Sequence, residues 1–296
     1  MRYDTTVQDK VFDVANVIFM ILIVFITLFP FWYALAGSFN HGADYMRGGV
    51  LFWPRQFTLA NYRVVLRERQ IIDAYQVTIV RTVIGTLSHI TFTGLFAYGF
   101  SRPYIKGRKI YATVGIITMF FSGGLIPIYL LYRSLGLLNN FMVYLIPPLF
   151  NFWNVLIFQT FFREIPISIN ESAKMDGANE YTIFFRLIIP VSKPVFAAIA
   201  LFVAVFHWNS FFDAMVFTTS RRIQPLQLYL MRIIRTREAA ANMASRAAEM
   251  MATQFEVNST TIQLATIVVT ALPIIALYPF LQKYFVKGLL IGSIKG

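Results

Sequence analysis

Residues 163–193, REIPISINESAKMDGANEYTIFFRLIIPVSK, form a polar and charged segment between two apolar runs, 141–162 and 194–217. Each flanking run has about the twenty residues that an α-helix needs to cross a bilayer. The segment itself carries charges, which are costly inside a membrane, and turn-forming residues. Its pattern of two short helices is compatible both with a docking surface and with a plain connector between spans. The apolar runs therefore predict the fold, and the interrupting segment bears on the function.

The composition is that of a polytopic membrane protein. Of the 296 residues, 57% are hydrophobic and 14% are charged, against about 25% charged in soluble domains. We expect an all-α fold, a single transmembrane domain of six helices with a cytoplasmic coupling-helix loop. The predicted spans lie near residues 14–37, 74–100, 111–131, 141–162, 194–217 and 260–284.

Several classes of function are excluded by the residues that the chain lacks. It has no cysteine and three histidines that are far apart in sequence, so neither disulfides nor a metal site is expected. No Gly-x4-Gly-Lys-Ser/Thr phosphate loop occurs, and the chain is predicted not to be an enzyme. The net charge of +12 comes without a basic stripe interleaved with aromatics, which argues against nucleic acid. The first apolar run is too long for a signal peptide and is expected to stay as a span.

The distribution of basic residues favours both termini on the cytoplasmic side. Four cations lie within the short stretch Arg102–Lys109, and short loops weigh most in the positive-inside rule. Residues 38–73 and 218–259 are then outer loops, and 285–296 form a cytoplasmic tail. A short helix is expected to start at Asn61, and the stretch from Leu226 to Met251 is expected to form one or two amphipathic helices. These loops either lie on the membrane surface or contact an extracytoplasmic partner.

The first half of the interrupting segment is predicted to be a short helix over Ile169–Asp176. Pro166 should end the preceding helix, and Ser168 followed by Glu171 matches a capping box. Gly177 occupies the position after the helix, where a left-handed residue is needed.

A second helix is predicted over Glu180–Ile189, with Asn179 as its N-cap. Phe184, Leu187 and Ile188 make an apolar stripe on this helix. Pro190 and Pro194 are expected to end it and to redirect the chain into the next span.

The same segment resembles the EAA motif of permease subunits of bacterial ABC importers. That motif reads Glu-Ala-Ala, three residues, Gly, nine residues, Ile-x-Leu-Pro. Here it stands as Glu171-Ser172-Ala173, Gly177 and Leu187-Ile188-Ile189-Pro190, with conservative departures at 172, 187 and 189.

The resemblance extends over nearly the whole chain. The stretch Ala97–Arg102 is similar to the family's Ala-Tyr-x-Phe/Leu-Ser-Arg, and 287–296 resembles its glycine-rich tail. The stretches Phe121–Pro127 and Trp208–Asp213 resemble the corresponding stretches in the branch of this family that handles oligosaccharides or polysaccharide fragments. The chain looks like the smaller six-span permease of the maltose-type importers.

The resemblance implies a site for coupling to an ATPase and the partners that go with it. The coupling residues would be Glu171, Ser172, Ala173, Asp176, Gly177, Ala178, Leu187 and Pro190. The tail residues Gly292, Lys295 and Gly296 would reach the ATPase interface, unless the tail is a frayed terminus. The implied partners are a homologous second permease, two ATPase subunits that hold ATP and Mg²⁺, an extracytoplasmic solute-binding protein and the lipid bilayer of the bacterial inner membrane. No cofactor is expected in this chain.

Polar residues within the spans are candidates for the translocation path, because they are costly unless they face a cavity or each other. The candidates are Arg81, His89, Asn151, Asn154, Gln159, His207, Asn209 and Asp213, some of which could instead cap helices or pair within the bundle. The rings of Trp208, Phe211 and Phe212 could pack against sugar CH faces.

The expected substrate is an oligosaccharide, either neutral or acidic. The alternatives are an ABC importer permease for a non-sugar solute, a secondary transporter that acts alone, and a membrane sensor or scaffold. A secondary transporter would be expected to show paired interruptions of its spans, and none is visible in the sequence.

Overall fold

The structure, a computed structural model, describes residues 7–244, 257–258 and 260–276. Within these residues the chain is helical, with one isolated antiparallel bridge between Asn40 and Phe57. The helices of the first half are α1 (Val7–Ser38), α2 (Gly42–Met46), α3 (Ala60–Arg67), α4 (Arg69–Ser101), α5 (Arg108–Phe120) and α6 (Leu125–Ser134). Two 3-10 turns, Phe141–Tyr144 and Pro147–Leu149, precede α7 (Phe152–Arg163). Then follow α8 (Ile167–Met175), α9 (Glu180–Val191), α10 (Lys193–Asn209), α11 (Phe212–Phe217), α12 (Leu226–Ala244) and α13 (Thr260–Ala276).

Among the described residues, α1 and α4 are each long and apolar enough to cross a membrane as one helix. The number rises to as many as five if each of three bent helix pairs is one span. The last predicted span, 260–284, is described to residue 276 as the shorter apolar helix α13. The all-helical prediction is confirmed, and the count of six spans stays a prediction.

Three of the predicted spans are interrupted rather than straight. The axes of α5 and α6 meet at 114° around Gly124, which has a φ of 84°. The pair formed by 141–149 and α7 is bent by 48°, and α9 meets α10 at 87°. The fifth predicted span also ends its regular helix at Asn209 and resumes at Phe212. The helices therefore show interruptions that were not visible in the sequence, so their apparent absence from the sequence is no argument against a secondary transporter.

The chain divides into two compact units. The first contains residues 7–69 and the described part of 230–272. Its helix α1 has no buried residue in its central apolar stretch, so that surface is available to lipid or to another subunit. A polar corner joins α1, α3 and α13: Asn61 donates to the carbonyl of Ser38 at 2.9 Å and accepts from Thr261 at 2.7 Å. The short helix expected at Asn61 is present as α3.

The second unit contains residues 70–229 and the described residues 273–276. Its core is aromatic and joins one end of α4 to α7, α9 and α10. The buried side chains that form it include Tyr98, Phe100, Phe158, Phe162, Phe184 and Phe196. Because protein interiors pack as densely as organic crystals, a helix that contributes side chains to this core is held in a defined position.

Candidate functional site

A cavity of about 590 Å³ lies within the second unit, beside α4, α7, α10 and α11. Its wall is mostly apolar and aromatic, with a small number of polar groups, as is usual for ligand sites. The polar lining residues are His89, Tyr132, Asn151, Asn154, Ser210 and Asp213. The aromatic lining residues without a polar group are Phe150, Phe202, Phe206, Phe212 and Phe217.

Asp213, which lines the cavity, forms an ion pair with Arg81, which is buried and is not itself a lining residue. The Arg81 side chain is fully buried, and that of Asp213 is 23% exposed. Both terminal nitrogens of the guanidinium donate to the Asp213 carboxylate, and one also donates to the carbonyl of Ser210 at 3.3 Å. The guanidinium lies 4.4 Å from the centre of the Tyr144 ring. The pair keeps this part of the wall close to neutral, since each charge is compensated locally.

His89 and Asn154 form a second polar pair. His89 Nδ1 lies 2.6 Å from the carbonyl oxygen of Pro148, which can only accept, so this nitrogen carries the proton. Nε2 then accepts from the Asn154 side chain at 2.9 Å. Asn151 caps α7, because its side chain accepts from the backbone N–H of Asn154. Asn151, a candidate for the translocation path, therefore caps a helix, which was the alternative role expected from the sequence. It also borders the cavity.

The remaining candidates for the path lie outside the cavity wall. His207 is fully buried, and neither ring nitrogen has a hydrogen-bond partner among the described residues. A Cβ at Gly85 would come within 2.5 Å of His207 Nε2, so the glycine makes room for the ring. Asn209 is exposed, and Gln159 donates to the carbonyl of Phe100 at 3.2 Å.

Of the three rings expected to contact sugar, Phe212 alone borders the cavity in the described part of the chain. Trp208 is buried and packs edge-on against Tyr75, with ring centroids 6.4 Å apart. Sequence reasoning missed Tyr132, Ser210 and Phe217. Tyr132 lies in α6, Ser210 between α10 and α11, and Phe217 at the end of α11. Nothing in the polarity or size of these three residues indicates from the sequence that they share a cavity.

The interrupting segment forms a helical hairpin of α8 and α9. Gly177 joins the two helices with a φ of 79°, as predicted for a left-handed residue. Asn179 caps α9 by accepting from the N–H of Thr182 at 2.8 Å, also as predicted. The predicted capping box is wrong: α8 begins at Ile167, and Pro166 is its N-cap residue without a side-chain hydrogen bond. The φ of −55° at Pro166 prepares the helix start and places Ser168 inside the first turn.

The inner face of this hairpin is anchored in the aromatic core. Ala173 of α8 and Ile183, Phe184 and Ile188 of α9 are buried there, whereas Leu187 is half-buried. Helix α9 continues through Pro190, with a π-helical turn over Phe184–Ile188. Ala173 faces its own bundle, so its side chain packs the hairpin down.

The outer face of the hairpin is free in this chain. Met175, at the tip, is 88% exposed. Of the predicted coupling residues, Glu171, Ser172, Asp176, Gly177 and Pro190 are exposed, and so is Lys174 beside them. Ala178 is half-buried. An exposed methionine beside charged residues on an anchored hairpin is a surface on which another protein can dock.

Electrostatics tie the two helices of the hairpin to each other. Lys174 Nζ lies 2.7 Å from Glu180 Oε1. Partial burial acts to raise the pKa of Glu180, but the hydrogen bonds from Lys174, Tyr98 and Tyr104 outweigh it and lower that pKa. The hydrogen bond to Glu180 raises the pKa of Lys174. Both groups are therefore ionised at neutral pH. Among the described residues no group of histidine and acidic side chains could hold a metal ion.

Membrane-length apolar helices, an internal cavity with a few polar groups and an anchored hairpin with a free outer face together describe a multi-pass membrane permease that another protein can engage. A comparison with models of protein families gives no match. The chain is 38% identical to protein LplC of Bacillus subtilis (strain 168) over 98% of this chain and 97% of that protein. It is 35% identical to the polygalacturonan/rhamnogalacturonan transport system permease protein YtcP of the same organism, over 98% of this chain and all of the relative.

A solved structure is similar over nearly the whole chain. It is the crystal structure of a bacterial ABC transporter involved in the import of the acidic polysaccharide alginate, with a TM-score of 0.86 and 32% identity. The match covers 95% of this chain and 98% of that one. The chain belongs to the family of ABC transporter permease proteins, whose members are non-catalytic membrane components. The resemblance inferred from the EAA motif is confirmed.

Proposed function

We propose that this chain forms half of the translocation path of an ATP-driven importer for an acidic oligosaccharide. The observation that carries the proposal is the hairpin 163–193, whose inner face is anchored in the core while Met175 at its tip is exposed. A permease without a phosphate loop must receive work from outside. An anchored hairpin with a free outer face suits that purpose, since a rigid element transmits a push that a loose loop would absorb.

In this proposal the hairpin is the cytoplasmic coupling segment. Glu171, Ser172 and Asp176 face the ATPase, and Gly177 sets the angle between the two helices. Ala173, Ala178 and Leu187 hold the segment on the bundle, and Pro190 lies at the turn towards α10. The tail residues Gly292, Lys295 and Gly296 lie outside the described residues. Their contact with the ATPase dimer stays part of the proposal.

The remaining partners follow from the same arrangement. A homologous permease supplies the other half of the path, two ATPase subunits bind ATP and Mg²⁺, and a solute-binding protein docks on the outer loops 38–73 and 218–259. Six spans would leave both termini on the same side of the membrane, and in this proposal that side is the cytoplasm, with the permease in the bacterial inner membrane. ATP binding brings the coupling segments together and opens the path outward.

The acidic character of the substrate is supported by two proteins that are more than 30% identical to this chain. One is named for polygalacturonan and rhamnogalacturonan, and the other belongs to an importer of alginate. The cavity is compatible with such a ligand, because Arg81 compensates the Asp213 carboxylate that would otherwise repel a uronate. Its aromatic wall can pack against the CH faces of sugar rings.

The coupling role is tested by replacing the exposed tip. Met175→Asp should abolish co-isolation of the ATPase subunits and ATP-driven uptake while leaving the thermal stability of the permease unchanged. Met46→Asp is the matched control, because Met46 is also exposed, at 58%, but lies in the first outer loop. It should retain the ATPase. Full co-isolation and uptake in Met175→Asp would refute the assignment of the hairpin as the coupling segment.

The substrate class is tested in proteoliposomes that contain the complete transporter. Oligogalacturonides and neutral oligosaccharides of equal length are offered with the cognate binding protein, and uptake and ATP hydrolysis are measured. Stimulation by the uronate oligomers supports the proposal. Stimulation by the neutral oligomers alone would refute the assignment of an acidic substrate and indicate a neutral one. It would not bear on the coupling role of the hairpin.

A further inference from the structure

The end of α4 is linked to the coupling segment by a set of polar contacts that the proposed function does not use. Tyr98 donates from its hydroxyl to Glu180 Oε2 at 2.6 Å. Tyr98 lies in the last turn of α4, and Glu180 is the first residue of α9. The bond therefore joins a membrane-spanning helix directly to the second helix of the hairpin.

A second contact joins the same end of α4 to the first helix of the hairpin. Arg102, next to the end of α4, is 5% exposed, and its guanidinium lies 4.2 Å from the centre of the Tyr98 ring. Because a guanidinium carries only donors, the side-chain amide of Asn170 presents its oxygen to Arg102, 3.1 Å from Nη2. Asn170 lies in α8 and is also buried.

The apolar core already attaches the hairpin to the bundle, and these polar contacts set its orientation relative to α4. Ala173 and Phe184 hold the hairpin in place by packing in the core, and the polar contacts add bonds of defined direction. Hydrogen bonds to charged groups are directional and among the stronger ones in proteins. Two of them, one on each helix of the hairpin, constrain its rotation relative to α4.

Helix α4 also carries residues of the cavity. It runs unbroken from Arg69 to Ser101 without an internal proline. At 1.5 Å per residue, His89 lies about 13 Å and Arg81 about 25 Å from Tyr98 along the helix axis. A movement of the coupling segment that reaches Tyr98 is therefore carried by a continuous rod to the His89 and Arg81 contacts.

We propose that Tyr98, Arg102, Asn170 and Glu180 form a latch, the α4 latch, that transmits movement of the coupling segment to the cavity. This inference rests on the proposed coupling function. The four are positioning residues: they touch neither sugar nor nucleotide, and they act through α4. Loss of the latch leaves the ATPase bound but makes its hydrolysis less productive.

The test uses Tyr98→Phe in the complete transporter, since this change removes the hydroxyl and keeps the ring beneath Arg102. Sugar uptake per ATP hydrolysed should fall on the order of tenfold, the scale of one lost hydrogen bond to a charged group. Co-isolation of the ATPase should stay at the wild-type value, and the midpoint of thermal unfolding should fall only slightly, because Lys174 and Tyr104 still hold Glu180. Tyr111→Phe is the matched control, because Tyr111 is 56% exposed on α5 and should leave all three measurements unchanged.

Glu180→Gln provides a second, independent variant of the same contact. The double variant Tyr98→Phe/Glu180→Gln should lose less than the sum of the two single variants, because both weaken the Tyr98–Glu180 contact. Additive losses would overturn the latch, and so would normal uptake per ATP in Tyr98→Phe. Loss of ATPase co-isolation in Tyr98→Phe would also overturn it, because the latch is internal to this chain. Failure of the wild-type chain to retain an ATPase would instead refute the proposed function.

Discussion

An ion pair at the cavity and an ion pair in the α8–α9 hairpin lie in opposite surroundings. Arg81 is fully buried beside Asp213, whereas the side chains of Lys174 and Glu180 are 44% and 45% exposed. If one partner of the exposed pair is removed, water hydrates the remaining charge at little cost. Water does not hydrate the buried Arg81 guanidinium in this way, so removal of Asp213 leaves a buried charge without its counter-ion.

The difference indicates what each pair contributes. Loss of one member of the buried pair is costly whether or not substrate is present, because the other charge is left buried and unpaired. The exposed pair adds little to stability, but it joins α8 to α9 across Gly177 and so restricts the angle of the hairpin. We expect substitutions at the first pair to affect folding and those at the second to affect coupling.

The largest effect is expected when the acid of the buried pair is removed. Asp213→Ala should destabilise the second unit by about 3 kcal/mol, whereas Glu180→Ala should cost less than about 1 kcal/mol. The measurement is the shift of the thermal unfolding midpoint of each purified variant. The double variant Arg81→Met/Asp213→Leu should recover much of the loss, since it removes both charges. Equal shifts for the two alanine variants would abolish the contrast between the pairs.

A smaller loss is expected at the second polar pair of the cavity. Asn154→Leu removes the donor to His89 Nε2 and should cost about 2 kcal/mol, because a partly buried acceptor is left without its partner. Thr160→Val is the control on the same helix, since the hydroxyl of Thr160 bonds to the carbonyl of Leu156 on an exposed face. Thermal midpoints of the two variants compare them. A shift at Thr160 as large as that at Asn154 would mean that α7 is sensitive at any position.

Geometry rather than charge is tested at Gly177. Gly177→Ala should cost about 1 kcal/mol through its left-handed backbone, since nothing lies within 4 Å of the added Cβ. Gly177→Asn should cost less, because asparagine tolerates this conformation. ATP-driven uptake should follow the same order, with asparagine closer to wild type. Should alanine and asparagine be equally active, the left-handed turn would not matter for coupling.

The parts of the fold that depend on neighbours in sequence were predictable. The helices were visible from apolar runs, and the turn at Gly177 and the cap at Asn179 need only local residues. The predicted capping box was wrong because two local signals competed, and Pro166 starts the helix two residues earlier than Ser168 would. The interruptions near Gly124 and Ser210 were missed because long apolar stretches mask a short break.

The assembly of the cavity was not predictable. Arg81 and Asp213 were recognised as costly polar residues, but they are 132 positions apart, and nothing in the sequence pairs them. The same holds for Tyr98 and Glu180, which are 82 positions apart. A polar residue within a span indicates that it has a partner. Which residue that partner is depends on how the helices pack and cannot be read from the sequence.

The smallest effect is expected from protonation of the exposed pair. The pKa of Glu180 is lowered from 4.5 in the folded protein by hydrogen bonds that outweigh the effect of burial. Its contribution to stability is therefore present above about pH 4.5 and is lost as the pH falls through the lowered value. The groups that face Glu180 are Lys174, Tyr98 and Tyr104. The difference in unfolding midpoint between wild type and Glu180→Gln should disappear below pH 4.5. Glu171→Gln is the control, because it changes an exposed carboxylate of the same hairpin, and its midpoint should differ little from that of wild type. A gap for Glu180→Gln that persists undiminished at the lowest pH would mean that its carboxylate does not hold α9 through its charge.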